Sequence, residues 1–359
     1  MSTAKDRLYD QKIAELEILS QYRKTLRKDP QLRFLFLELT LRCNANCIHC
    51  GSRCGEVTSE ELSKEDYFAF LDHVKADFEG KLPMLCITGG EPLLRDDFFE
   101  IMNYAKELGF SWGMTSNGTL ITKEIAQKLK NAGMSTVSIS VDGTEEIHDS
   151  FRRVPGGYRR TLEGIRYLME QDFESVQVTT VVTKKSLGCL DGLFDVLQEL
   201  DVDSWRILGL EPIGRALDFQ DYALDLSEQR RMLDFIKGKR QEGYPVTYGC
   251  PHYLGLDYER EVRDWYFLCN AGVYTASIMA NGDIGACLDI ERRPETVQGN
   301  ILRDDFTEVW RNRFGIFRSP LSENCRECRE CPDEKYCEGG AYHSWNYDRN
   351  EPRLCLHRL

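Results

Sequence analysis

Thr40-Leu-Arg-Cys43-Asn-Ala-Asn-Cys47-Ile-His-Cys50 is the stretch on which the reading of this chain turns. It closes an apolar run, 34–40, and sets three cysteines at C-x3-C-x2-C spacing. One tight loop therefore offers three thiolates, one fewer than the four that normally hold a four-iron cluster. A cluster held by three leaves one iron open to a small molecule, which suits a reactive centre better than an electron carrier. Zinc more often takes two C-x2-C pairs or a Cys/His set. His49 could join such a set, but it lies between two of the cysteines, where chelation would be strained.

Outward from this loop the chain repeats strand, loop and helix. Apolar runs predict strands at 34–40, 84–88, 111–115, 136–141, 176–182 and 205–210. Helices are expected at 64–78, 97–108, 123–131, 158–171 and 190–200. Ser63 with Asp66 reads as a capping box, and Thr122 as a helix N-cap. Apolar strands alternating with helices predict an α/β fold with a parallel sheet and helices outside. Six such units are too few to close an eight-unit barrel, so an open, partial (β/α)6 TIM-like barrel is expected.

The chemically loaded residues follow successive strands. The three cysteines follow the first, Gly89-Gly90-Glu91-Pro92 the second and Ser116-Asn117-Gly118 the third; Ser140-Val-Asp142-Gly143 closes the fourth. Active sites of such barrels sit at the C-terminal ends of the strands, so all four motifs point into one mouth.

The remaining chain divides into three parts. Residues 1–33 form an N-terminal extension in which Ile13, Leu16, Leu19, Tyr22 and Leu26 recur at helical spacing before Pro30. This helix is expected to pack on the barrel wall. Beyond the barrel (34–215), residues 216–249 read as a charged bridge with a helix near 228–240, and 250–359 as a small cysteine-rich domain. There Cys269 and Cys287 flank an expected hairpin, 275–280 and 283–286, with Asn281-Gly282 in its turn. Cys325, Cys328, Cys331 and Cys337 follow at short spacings, and Cys355 lies near the end.

Composition bounds the partners. The chain has 359 residues, 42% hydrophobic and 29% charged, as expected of a globular protein. No apolar run reaches the roughly 18 residues of a membrane span, and no signal-peptide core follows Met1, so a cytoplasmic protein without membrane attachment is expected. Fourteen cysteines in such a chain argue for metal ligation over disulfides. A net charge of −13 without a basic tract argues against nucleic acid.

The cysteine triad, Gly-Gly-Glu-Pro and the later segments resemble the radical S-adenosylmethionine (radical SAM) family. The C-terminal cysteine array, with Glu308-Val-Trp310 inside it, resembles that family's SPASM extension. The resemblance covers about 34–359. It implies a 4Fe-4S cluster on Cys43, Cys47 and Cys50 whose open iron chelates the amino and carboxylate groups of S-adenosylmethionine. One electron then cleaves the sulfonium, and a 5′-deoxyadenosyl radical takes hydrogen from substrate. It further implies Gly89, Gly90, Glu91 and Pro92 at the ligand amino group, with Glu91 as acceptor, and Ser116 and Asn117 at the ribose and sulfonium. Ser140 and Asp142 match the family's S-x-D-G segment. Arg152 would hold the carboxylate, with Arg153 as the adjacent alternative. The backbone of Glu211-Pro212-Ile-Gly214-Arg215 would flank the adenine. Asn117-Gly118 is equally a turn signal, and Asp142 could instead cap its own turn.

For the auxiliary clusters, the resemblance implies an outer 4Fe-4S cluster on Cys328, Cys331, Cys337 and Cys355. An inner one would use Cys269, Cys287 and the position four after Cys337, which here is Ala341. Cys325 or Cys250 could stand in, giving one or two auxiliary clusters. Cys86 reads as a core residue. Cys54 reads as an idle loop residue or a hydrogen donor. The leading expectation is an oxidative maturase of a ribosomally made precursor peptide, with an auxiliary cluster as electron sink and flavodoxin or ferredoxin as reductant. Residues 1–33 are too few for a leader-binding domain, so the maturase reading calls for a separate leader-binding protein or direct recognition of the peptide. The second reading is a small-molecule enzyme acting on a tetrapyrrole side chain, an aminocyclitol or a sugar; the third is a non-catalytic zinc or scaffold protein.

Overall fold

The computed structural model describes residues 4–56 and 60–357. It begins with helix α1 (Ala4–Lys28), then alternates β1 (Phe34–Glu38), α2 (Lys64–Asp77), β2 (Met84–Thr88), α3 (Phe98–Glu107), β3 (Trp112–Ser116), α4 (Lys123–Asn131) and β4 (Met134–Ser140). Two helices follow, α5 (Glu145–Arg152) and α6 (Gly157–Met169), then β5 (Ser175–Val182), α7 (Leu190–Glu199), β6 (Ser204–Gly209), α8 (Leu226–Gln241), β7 (Val246–Tyr248) and the short α9 (Gly255–Tyr258). A C-terminal hairpin, β8 (Thr275–Ile278) and β9 (Asp283–Gly285), is continued by β10 (Gly299–Asn300). The expected starts of α2 and α4 are there for the stated reason: Ser63 and Asp66 complete a capping box, and Thr122 accepts from the Ile125 N–H.

These ten strands join one sheet in the order β10-β9-β8-β1-β2-β3-β4-β5-β6-β7, and a separate two-stranded ribbon pairs Trp345–Asn346 with Glu351–Pro352. β1 to β7 run parallel, and β8 lies parallel on the free side of β1. Register explains the packing. Leu35 pairs with Leu85 and Leu37 with Ile87, and these are fully buried beneath the helices. Phe36 pairs with Cys86 on the opposite face, where both are only half-buried. Cys86, expected in the core, therefore lines the open side. The sheet curls: the Arg215 N–H, beyond β6, donates to the Cys50 carbonyl, beyond β1, at 3.0 Å. Loops from the first and sixth strands thus meet across one mouth.

The segment 216–249, read as a bridge, instead supplies a seventh unit: α8 leads into β7, which pairs with β6. At three residues, β7 is too short to show a period. Helix α1 also lies elsewhere than expected. It packs on the C-terminal domain, with Leu16 against Tyr253 and Phe267 and Leu26 against Val273 and Tyr274. Its buried line is Lys12, Leu16, Ser20, Arg23 and Leu26, whereas Ile13 and Tyr22 are each 38% exposed. The two cations can be buried because they find oxygens. Lys12 reaches Glu261 at 2.7 Å, and Arg23 donates to the Phe267 and Tyr336 carbonyls. Among the described residues no helix is long and apolar enough to cross a membrane.

Candidate active site

The cysteine loop is gripped from three strands. Beyond β2, the Gly90 N–H donates to the Thr40 carbonyl at 2.7 Å and the Glu91 N–H to the Arg42 carbonyl at 2.8 Å. A Cβ on Gly89 would stand 2.6 Å from the Thr40 oxygen, and one on Gly90 2.2 Å from the Arg42 oxygen and 2.9 Å from the Cys43 Cβ. What approaches these glycines is the cysteine loop itself. Beyond β6, Gly214 adopts φ +51°, and a Cβ there would stand 2.3 Å from the Gly51 carbonyl oxygen and 2.4 Å from that of Cys50. Arg215, 1% exposed, donates to the Cys47 carbonyl at 2.5 Å, the Cys54 carbonyl at 2.7 Å and Glu56 at 2.7 Å. A planar five-donor fork suits this task of tying carbonyls together. Sequence reasoning placed Arg215 near an adenine; its grip on the cysteine loop had no signal in the sequence.

Beyond β3, Asn117 donates from its side chain to Asn44 in the cysteine loop at 2.8 Å, and Asn44 donates to Thr119 at 2.9 Å. Glu91 also ties strand-end loops together. It is fully buried, and its carboxylate accepts from the Ser116 hydroxyl at 3.0 Å and the Asn117 N–H at 2.9 Å. Both oxygens thereby tie the second strand-end loop to the third, with lone pairs left over for a further donor. Burial pushes Glu91 up to about 7, against the hydrogen bonds from Asn117 and Ser116. Ser116 and Asn117, expected at ribose and sulfonium, are likewise buried, and their bonds join the second and third strand-end loops to the first. Ser140 stays half-buried at the end of β4, opposite Thr179.

Asp142 and Arg152 form a buried pair, Nε to Oδ2 at 2.7 Å, and the other Asp142 oxygen accepts from the Val181 N–H at 2.8 Å. The pair directs the rest of the guanidinium inward, with Nη1 3.9 Å from the Cys47 sulfur. Arg153 turns away through a left-handed C-cap and lies over the Phe219 ring. His148 accepts from the Asp142 N–H at Nδ1, and burial lowers it to about 4, so it is neutral. His49 stacks on Phe151, centroids 4.6 Å apart, instead of turning towards the cysteines.

These residues fit an iron–sulfur group. The fourteen cysteines are all free thiols. Burial pushes Cys43 up to about 12, with Cys47 and Cys50 adding to the rise, so three ionised sulfurs here need a cation among them. The Arg152 guanidinium supplies part of that charge. Cys54 is buried beside Cys50; its thiol and N–H lower Cys50 to about 6. That position makes Cys54 a donor to the Cys50 sulfur.

In the C-terminal array Cys328, Cys331, Cys337 and Cys355 lie together. Burial, then the neighbouring Cys355 and Cys331, pushes Cys337 up to about 12. His357 sits between Cys331 and Cys355, at 3.5 and 3.1 Å. Cys325 lies with this outer group, against Cys328 and Glu327. Cys269 and Cys287 are a second, half-buried neighbourhood, beside Tyr342 and Tyr347. Cys250 is buried against Glu211. The domain is joined to the mouth through Glu38 at the end of β1, whose buried carboxylate takes bonds from Arg292, Ser52 and the Ala280 N–H.

Comparison with known proteins bears on this geometry. Residues 37–197 match the Radical SAM superfamily and residues 269–332 the SPASM iron-sulfur cluster-binding domain. The chain is 31% identical over 348 residues to an AdoMet-dependent heme synthase of Methanosarcina barkeri, covering 91% of this chain and 97% of that protein. It is 31% identical over 311 residues to the mycofactocin maturase MftC of Mycolicibacterium smegmatis, covering 85% and 76%. The crystal structure of SuiB from Streptococcus suis bound to precursor peptide SuiA superposes with a TM-score of 0.74 over 94% of this chain and 78% of that one, at 20% identity, a likeness of fold.

Proposed function

This chain belongs to the radical SAM superfamily and carries a SPASM domain, and from that premise we propose that it abstracts hydrogen from a side chain of a tetrapyrrole. It is an enzyme whose domains use 4Fe-4S clusters and S-adenosylmethionine, which sets aside the scaffold reading. The group on Cys43, Cys47 and Cys50 supplies, when bound, reductive cleavage of S-adenosylmethionine to a 5′-deoxyadenosyl radical. The chain does the rest. Gly89, Gly90, Asn117 and Arg215 fix the cysteine loop, and Arg152, aligned by Asp142, offers the planar cation a carboxylate needs. The C-terminal cysteines would hold one or two auxiliary clusters as an electron sink, and flavodoxin or ferredoxin would supply the first electron. All-thiol cysteines support a reducing compartment, the cytoplasm.

The observation that carries the substrate class is full-length likeness to the heme synthase, 97% of whose length this chain matches. The test is anaerobic incubation of the reconstituted enzyme with S-adenosylmethionine, reductant and a panel of iron tetrapyrroles, iron-coproporphyrin III among them. A mass change in one tetrapyrrole, matched by 5′-deoxyadenosine, is expected. Unaltered tetrapyrroles beside a co-expressed precursor peptide of lower mass would instead establish the reading that led from the sequence, an oxidative peptide maturase. The MftC likeness over 85% of this chain favours that reading.

A further inference from the structure

Beyond the mouth, three segments bring Glu211, Cys250, His252 and His343 together. Glu211 follows β6, Cys250 and His252 follow β7, and His343 comes from the C-terminal domain. All four are buried, at 7, 6, 2 and 9% exposure. The Cys250 sulfur, a Glu211 oxygen and a His252 nitrogen all lie within 4.8 Å of one another. His252 Nε2 is 2.7 Å from Glu211 Oε1, and His343 Nε2 is 3.8 Å from Oε2. The imidazole rings stand 6.0 Å apart at 61°, so both Nε2 atoms converge on the one carboxylate.

We propose that these four residues bind one borderline divalent cation, zinc by the donor set, and so tie the C-terminal domain to the last strands of the sheet. One thiolate, two imidazoles and a carboxylate are a closed tetrahedral shell, the form of a structural site. With metal–sulfur bonds of about 2.3 Å and metal–nitrogen bonds of about 2.0–2.1 Å, neighbouring donors lie roughly 3.3–3.7 Å apart. Glu211, Cys250 and His252 already cluster within 4.8 Å; His252 would draw back by about 0.6 Å, and His343, 3.8 Å from the other carboxylate oxygen and outside that cluster, would close in as the fourth donor. A second observation points the same way: Glu211 Oε2 is buried without a hydrogen-bond partner. A network of hydrogen bonds, with the Cys250 thiol and His252 donating to Glu211, leaves that oxygen bare. A divalent cation balances one thiolate and one carboxylate, making the buried group neutral. Cys250 is thereby assigned away from the inner auxiliary cluster. The inference is independent of the substrate.

The test uses the full chain with its clusters reconstituted anaerobically, zinc supplied, and loosely held metal removed by desalting. About one zinc per chain unmatched by sulfide is expected, with one sulfur and three nitrogen or oxygen neighbours in zinc-edge absorption. Cys250→Ala and, as a gentler second variant, His343→Gln should lose that zinc while retaining iron and sulfide. Wild type holding no more zinc than the variants would overturn the proposal. So would three or four sulfurs around the zinc, which would place it in the cluster cysteines. Joint loss of iron and sulfide in Cys250→Ala would assign Cys250 to a cluster and overturn it as well.

Discussion

Replacing Gly90 with alanine tests the account of the cysteine loop. The added Cβ would sit 2.2 Å from the Arg42 carbonyl oxygen, about 1.2 Å short of the 3.4 Å where ordinary contact begins. Both the oxygen and the neighbouring Cys43 Cβ, at 2.9 Å, belong to the loop that presents the sulfurs, so the loop must move. Moving it breaks the bonds from the Gly90 and Glu91 N–H groups, worth about 0.5–1.5 kcal/mol each. Residual overpacking adds about 1–3 kcal/mol. The sum, about 2–6 kcal/mol, corresponds to a loss of at least roughly thirtyfold in the loop conformation that would hold the cluster. The assay is iron, sulfide and the spectrum of the reduced cluster in Gly90→Ala, with 5′-deoxyadenosine yield beside it. Gly188→Ala is the control, since no atom lies within 4 Å of its would-be Cβ. The variant should lose iron from the N-terminal cluster while keeping its auxiliary iron. A full cluster with weakened S-adenosylmethionine binding would refute the reasoning and return these glycines to the role of a ligand cradle.

Three further outcomes are expected. Glu38→Gln leaves Arg292 without its charge partner; because Arg292 is 30% exposed, a loss of about 1–3 kcal/mol and faster proteolysis between the barrel and the C-terminal domain are expected, and unchanged denaturant midpoints would contradict the role. Arg23→Ala strips the Phe267 and Tyr336 carbonyls of their donor and should cost about 1–3 kcal/mol for each carbonyl left bare, measured by urea unfolding; a loss below about 0.5 kcal/mol would show that α1 docks by its apolar residues alone. His148 is held neutral in the fold, near 4 against an ordinary 6.5, so the unfolded chain takes up a proton first as pH falls and stability drops from pH 6.5 downwards by about 1 kcal/mol per unit. His148→Gln should reduce that slope, leaving the share of the similarly lowered His49, and an unaltered slope would show that His148 is not a source of it.

Much of the fold was legible because its signals are local. Six apolar runs, two capped helix starts and an Asn-Gly turn each declare themselves within a few residues, and the strands begin within two residues of where they were expected. What was not legible depends on direction or distance. Strand alternation placed Glu91 at a strand end, but not whether its carboxylate faced the mouth or, as it does, the Ser116 loop. Lys12 and Arg23 are buried polar anchors of α1, invisible to a search for apolar stripes. Helix α5 is a polar eight-residue piece, Glu145–Arg152, without enough turns to show its period. Arg215, Glu38 and the Glu211–His252–His343 group act across more than 40 residues of chain, so no spacing announces them.

The central claim is that the Cys43, Cys47 and Cys50 loop holds a cluster that cleaves S-adenosylmethionine. The most direct measurement is 5′-deoxyadenosine formed under strict anaerobiosis by reconstituted wild type and by the triple Cys43→Ala, Cys47→Ala, Cys50→Ala variant, with iron and sulfide counted in both. The account predicts 5′-deoxyadenosine from wild type and none from the variant, which should keep its auxiliary iron and lose only the N-terminal share. Equal yields from both proteins, or a wild type holding zinc without sulfide in this loop, would contradict it.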